Sequence, residues 1–356
     1  MTRRGFTVVE VAIVLGVLIA LTAMVVGRLL AVIDWQKKYE TLRRLRAIRA
    51  GLLRHYQQNA GYVDLLPPDG DDAPVYRCVQ RDGEPPVQVA GVPPESLHPG
   101  VWLLPGTPVY GTARTAAENL AKCLSGRYVS LGVGDVTFDA WHRPYVVTVV
   151  NVGTRGGNLF CRVVSYLSAG RNAVIDSQFD PQQGTWEVRG DDLAVSVSGC
   201  DVETEKLLET MRKLQKVAET LETYYYTRFV SDPTRNYQLD YFLEGDGALG
   251  DTCGANQVTD FPAVNGECYS WFTDDQLKAL GLTREDVESA WAHTDHPGDA
   301  PDARFLVKDF VFATNANGCG PVRSPSACGR VPPYAAVVAT VTPWWRVIRY
   351  TAYGKY

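Results

Sequence analysis

The most chemically demanding residue in this chain is Glu10. Between Phe6 and Ile33 the only ionisable side chains are Glu10 and Arg28, and an apolar run from Val11 to Gly27 follows the acid. An apolar helix of that length can span a bilayer, and a carboxylate inside it is costly unless it is paired. A cut after Gly5 would make Phe6 the N-terminus. Its amine would then stand one helical turn from Glu10, or beside the Glu10 of a laterally shifted neighbour. That pairing would turn the cost into a docking signal between packed helices. Arg3 and Arg4 precede the run, so the positive-inside rule puts the N-terminus in the cytoplasm and the rest of the chain outside. A secretory signal peptide would have a shorter apolar core with a small-residue cleavage site after it, whereas Gly5 lies before the run.

Other residues offer less chemistry. The five histidines are at 55, 98, 142, 293 and 296. The one cluster resembling metal ligands is His293-Thr294-Asp295-His296 with Asp299 and Asp302, ahead of Pro297 and Gly298 in an expected surface loop. It is not the His-Glu-x-x-His of a zinc protease, and neither a Gly-x-Ser-x-Gly elbow nor a phosphate-binding loop occurs. No catalytic constellation emerges, so no enzymatic activity is expected. The net charge of −5 over 356 residues argues against a general nucleic-acid binder. Seven basic residues nevertheless lie between Lys37 and Arg54, opposed only by Glu40. That segment admits nonspecific contact with DNA. Acidic patches of neighbouring subunits or anionic lipid headgroups are the favoured partners.

The elements that must position Glu10 begin with a helix. Trp35, Tyr39, Leu42, Leu45, Ile48, Leu52 and Tyr56 recur at steps of three or four, the period of one buried stripe. One helix therefore runs from Phe6 to about Asn59, apolar all round at first and one-sided later. A second helix repeats it. Glu40-Thr41-Leu42-Arg43-Arg44-Leu45 aligns with Glu209-Thr210-Met211-Arg212-Lys213-Leu214, and Ile48, Leu52 and Tyr56 align with Val217, Leu221 and Tyr225, at a constant offset of 169 residues. Its stripe is Leu207, Met211, Leu214, Ala218, Leu221 and Tyr225. Between the helices, a short helix around Thr115 to Ser125 and strand-like runs at 145–150, 159–166, 185–188 and 193–197 suit an antiparallel meander covered by the first stripe. In the second half a helix from Phe272 to Trp291, N-capped by Thr273 and burying Leu277, Leu280 and Val287, precedes runs at 304–314, 335–342 and 345–353. Eight cysteines on the outer side, none in a Cys-x-x-Cys pair, favour disulfides. Sequential pairing is expected: Cys78–Cys123, Cys161–Cys200, Cys253–Cys268 and Cys319–Cys328.

Gly5-Phe6-Thr7-Val8-Val9-Glu10 and the apolar helix after it resemble the class III signal of type IV pilins and type II secretion pseudopilins. Gly27 departs from the Pro that major pilins often carry there. Asp139-Ala140-Trp141-His142-Arg143-Pro144-Tyr145 resembles the Asp-x-Trp-Gly-x-Pro-Tyr signature of the major pseudopilin, with His142 in place of Gly. Ser168-Ala169-Gly170-Arg171-Asn172 resembles its Ser-x-Gly-x-Asp-Gly turn, with Asn172 for Asp and Ala173 for Gly. No clean copy of the tryptophan motif is found in the second half, whose family label rests on the helix repeat.

The resemblance implies a leader at 1–5, cut between Gly5 and Phe6 by a prepilin peptidase that also methylates Phe6, and assembly through the Phe6 amine and Glu10. It implies a membrane and filament-core helix at 6–33, a pilin-like α+β head at 34–200 and a second at 201–356. In that family the loop after the turn can hold calcium, for which Asn172, Asp176 and Asp180 are the candidates; no other cofactor is expected. The expected role is a structural subunit, minor or tip-associated, of a type IV pilus or type II secretion-like filament. It would sit in the bacterial inner membrane with an assembly platform and then in a filament at the cell surface. The alternative is a filament-displayed adhesin or DNA-binding minor pilin.

Overall fold

The computed structural model describes residues 8–66, 72–78, 87–243, 248–250, 252, 258, 261–262, 268–291, 307–314 and 334–354. The chain is a mixed α+β protein with one long N-terminal helix and antiparallel sheets. In chain order the elements are α1 (Val8–Val63), β1 (Val75–Cys78), β2 (Val87–Ala90), β3 (Val101–Trp102), α2 (Pro108–Leu124), α3 (Val133–Thr137), β4 (Val146–Gly153), β5 (Phe160–Ser168), β6 (Val174–Ile175), β7 (Gln178–Asp180), β8 (Thr185–Glu187), β9 (Leu193–Ser198), α4 (Cys200–Ser231), β10 (Ser270–Trp271), α5 (Asp274–Leu280), β11 (Val311–Thr314), β12 (Ala335–Val341) and β13 (Val347–Tyr353).

Helix α1 has 56 residues and changes character along its length. Its apolar first half is exposed throughout and is long and apolar enough to cross a membrane. Its second half buries Thr41, Leu45, Ile48, Leu52 and Tyr56, the stripe that the period of three to four demands. Each buried aliphatic side chain contributes about 1.5–3 kcal/mol. Trp35 and Tyr39 do not join that stripe. They are 67% and 60% exposed and stack on each other at 5.9 Å, on a part of the helix that the head does not bury. The helix does not fray at Asn59; it bends there, at φ −129°, and continues to Val63.

Strands β4, β5 and β9 form an antiparallel sheet in that order. The segment at 185–188 does not extend it: β8 pairs with β7 in a separate hairpin. Helix α2 starts at Pro108, seven residues before the expected Thr115, with the Thr107 hydroxyl accepting from Tyr110 N–H. In the second half β10, β11, β12 and β13 form one antiparallel sheet, and α4 covers it with Leu207, Leu214, Ala218, Leu221 and Tyr225, while Met211 is only half-buried. The long helix expected from 272 to 291 is broken. Thr273 caps α5 in a capping box with Gln276, but Gly281 turns left-handed at φ 68° and ends it, as glycine can without steric cost. A single 3-10 turn, Arg284–Val287, follows.

Two of the four sequential disulfides are formed among the described residues. Cys78–Cys123 joins β1 to α2, and Cys161–Cys200 joins β5 to the first residue of α4. Loops of 45 and 39 residues give each cross-link a stabilisation of about 4 kcal/mol. Cys268 is also disulfide-bonded; Cys253, Cys319 and Cys328 lie outside the described residues.

Candidate functional site

Gly5 and Phe6 lie outside the described residues, and of Glu10 only the helical backbone is described. The histidine cluster at 293–296, with Asp299 and Asp302, also lies outside them.

The tryptophan motif forms a corner that holds the sheet on the helix. Asp139 is buried, and its Oδ1 accepts from Trp141 N–H and Arg143 N–H, both at 2.9 Å. Its Oδ2 accepts from the Ser168 hydroxyl at 2.6 Å. Burial raises its carboxyl above the ordinary carboxylate range, against the hydrogen bonds that favour the charge. The corner then meets α1 twice. Thr41 Oγ1 accepts from Ala140 N–H at 3.2 Å, and Arg44 donates to Phe138 O at 3.1 Å while pairing with Asp135 at 2.8 Å. His142 has φ 62° and Ala173 has φ 64°. Both stand where the resembled motifs carry glycine, and both keep the left-handed backbone that glycine would allow at no cost.

The same corner recurs in the second half, split by an insertion. Ser289-Ala290-Trp291 stands for Asp139-Ala140-Trp141, and Lys308-Asp309-Phe310 stands for Arg143-Pro144-Tyr145. The Ser289 hydroxyl accepts from Trp291 N–H at 3.2 Å. Ala290 N–H donates to Thr210 Oγ1 at 3.0 Å, and Lys213 donates to Glu288 O at 3.2 Å. The backbone bonds match as well. Asp139 N–H to Arg143 O and Tyr145 N–H to Thr137 O are answered by Ser289 N–H to Lys308 O and Phe310 N–H to Val287 O. Gly199 closes on the Tyr56 ring after β9, and Gly354 closes on the Tyr225 ring after β13. Thr210, Lys213 and Tyr225 are the residues that the 169-residue offset pairs with Thr41, Arg44 and Tyr56. Ala-Trp after a small polar residue was the available sequence signal, hidden because the insertion removes the Pro-Tyr spacing.

An acidic pocket lies beside the first corner. Asp176, Asp191 and Asp192 bring carboxylate oxygens within 4.8 Å of one another. Asp191 Oδ2 accepts from Arg171 N–H and Asn172 N–H, and Asp192 Oδ2 accepts from Asp176 N–H and Ser177 N–H. The other oxygens of Asp191 and Asp192 are buried and meet no donor. Burial raises the Asp192 carboxyl, and the charge of Asp176 adds to that. Carboxylate oxygens gathered this closely, with one oxygen of Asp191 and one of Asp192 unpartnered, fit a hard divalent cation such as calcium, which takes oxygen ligands. Asp176 of the expected set belongs here. Asn172 serves the pocket by donating to Asp176 at 2.8 Å. Asp180 does not belong: its Oδ1 accepts from Gln182 N–H and Gln183 N–H and closes the β7–β8 turn. Asp191 and Asp192 were missed because a hairpin separates them from Asp176 in sequence. His55 also lies by Cys78 and Cys123, but the two sulfurs are consumed by their disulfide.

The loop that carries this pocket is tied to α1. Arg171 pairs with Asp34 at 2.7 Å, and Arg143 donates to the carbonyls of Gly170 and Arg171. No protein-family model matches this chain, and neither a curated protein nor a solved structure matches it.

Proposed function

We propose that this chain is a subunit of a type IV pilin or pseudopilin filament, anchored by α1 and carrying two pilin-like heads in tandem. The observation that carries the reading is the two-part character of α1. One unbroken helix is bare and apolar through Ile33 and becomes the buried spine of a head from Thr41. A helix with that division serves as a membrane anchor before assembly and as a filament core after it. The recurring corner supports the second head, since the same side-chain and backbone bonds join α1 to one sheet and α4 to the other.

In this reading a prepilin peptidase cuts between Gly5 and Phe6 and methylates Phe6. The chain then waits in the inner membrane with its heads outside. Exposed Trp35 and Tyr39, at the end of the apolar run, suit the aromatic band at a membrane–water boundary. The Phe6 amine and Glu10 pair between neighbouring copies as an assembly platform extracts them. The acidic pocket holds calcium as a structural brace for the loop between β5 and β9. Arg43 and Arg44 are engaged by Glu40 at 2.8 and 3.0 Å, which makes the helix a poorer polyanion surface than its composition suggests.

The test is a Glu10→Ala chain expressed beside the wild type, with N-terminal sequencing of the mature product. The expected product begins at N-methylated Phe6, and the Glu10→Ala chain stays in the membrane fraction instead of entering sheared filaments. A mature product beginning at Met1, or equal incorporation of the variant, would overturn the assembly mechanism.

A further inference from the structure

The two halves meet over a buried cluster of charge. Asp64 follows α1, Arg162 is on β5 and Glu203 is in the first turn of α4; they are 0%, 2% and 0% exposed. Arg162 donates to Val63 O and approaches Asp64 Oδ1 at 3.4 Å. The Tyr56 hydroxyl donates to Asp64 Oδ2, and Trp291 of the second corner donates its indole N–H to Glu203 Oε2 at 2.7 Å. The charges of Asp64 and Glu203 act on each other across this cluster, and Glu203 Oε1 is buried without a hydrogen-bond partner. Among the described residues Arg162 is the one guanidinium or ammonium buried with the two carboxylates, Lys206 lying only half-buried a turn along α4; an uncompensated buried charge is strongly destabilising, so one carboxyl of the pair holds a proton.

We propose that Asp64 and Glu203 share one proton that fastens the second half to the first, and that losing it opens this junction. The other groups facing the pair are Tyr56 from α1, Tyr76 from β1 with His55 bonded to it, Arg162 from β5, and Lys206 and Trp291 from the second half. Lys206 is one turn along α4 and holds Ala290 O at 2.8 Å. Asp72 acts on Arg162 from farther away while pairing with Arg155.

Burial pushes both carboxyls up. Asp64 is raised further by the charge of Glu203, and Glu203 is pushed up to about 7 even though the Trp291 indole N–H donates to it. An opened junction would return both to the ordinary carboxylate range. The closed form therefore holds protons that the open form releases, so closure is strongest in acid and is lost as pH rises through the closed-state values.

Hydrogen exchange of the full-length chain in detergent micelles, from about pH 5 to about pH 8 and corrected for intrinsic rates, reads this directly. The reporters are the amides of Leu66 and Gly156, which cross the junction to Pro343 O and Trp344 O at 2.9 and 2.7 Å. Their protection should fall by up to about tenfold per pH unit for each proton released, while amides of the β4–β5 ladder hold theirs. Glu203→Gln keeps an acceptor for Trp291 and removes one ionisation, so it should flatten the profile. A flat wild-type profile overturns the proposal whether or not any variant folds, and so does an unchanged profile in Glu203→Gln. Neither result bears on filament assembly, which the Glu10→Ala experiment tests separately.

Discussion

The first half closes its corner with Asp139 and the second closes the equivalent corner with Ser289. Asp139 gathers two backbone N–H groups and the Ser168 hydroxyl; Ser289 takes one N–H and gives its own proton to Val307 O. Around them the backbone pairing is the same. What holds the two corners to the same plan is the ladder of main-chain bonds and one threonine from each covering helix. The polar side chain at the centre can change charge, and the segment after the tryptophan can lengthen by fifteen residues, from 292 to 306, without moving either flank. The regularity lies in main-chain geometry, and the divergence lies in side chains and loop length.

The largest expected break in this comparison comes from the two glycines that end the sheets. An added Cβ at Gly199 would run into the Tyr56 ring, and one at Gly354 would come within 2.5 Å of Tyr225 Cζ. Tyr56 is pinned by Asp64 and by Arg162 N–H, so it has little room to yield. Gly199→Ala should cost about 3 kcal/mol or more and Gly354→Ala about 2, read as unfolding free energies in urea. A negligible cost at one glycine beside a large cost at the other would mean that the two closures are not built alike.

Next come the corner residues. Asp139→Ala orphans three donors at a buried site and should cost about 3 kcal/mol, whereas Ser289→Ala orphans one N–H and should cost about 1. A larger loss at Ser289 would reverse the ranking. Calcium should separate the halves further. Among the described residues the acidic pocket belongs to the first half, so saturating calcium at about a hundredfold its Kd should add about 2.7 kcal/mol to unfolding of a chain that carries the pocket. Asp191→Asn with Asp192→Asn should abolish that gain. Isothermal calorimetry with no heat at millimolar calcium removes the site. The smallest effect is a gain. His142→Gly and Ala173→Gly relieve left-handed backbone at the cost of a looser unfolded chain, and each should change stability by about +0.5 kcal/mol. A loss larger than that at either position would show that its side chain earns its place through contacts.

Features specified by neighbouring residues were legible in the sequence. The spine stripe from Leu45 to Tyr56 and the Thr273 cap follow from period and local hydrogen bonding. The stop at Gly281 was equally local, yet the apolar spacing that continues to Val287 masked it. Features that depend on what lies opposite were not legible. Nothing in a helical period reveals that Trp35 and Tyr39 lie on a part of the helix that the head leaves bare. The acidic pocket needs Asp191 and Asp192 brought back by β8, and the second corner needs Lys308 returned across an insertion. Such sites are defined by chain closure rather than by spacing. Glu203 carries no signal of its own in the sequence; only the fold sets it against Trp291 and Asp64.

One consequence follows from how β9 passes into α4. Gly199 alone separates them, and the bond between Cys161 and Cys200 straps the second helix to the middle strand of the first sheet. Two tethers at nearly the same spot leave a pivot with no slack. A pull along the spine is therefore handed to the far half at once, and that half can tilt about its mooring but cannot drift away from it.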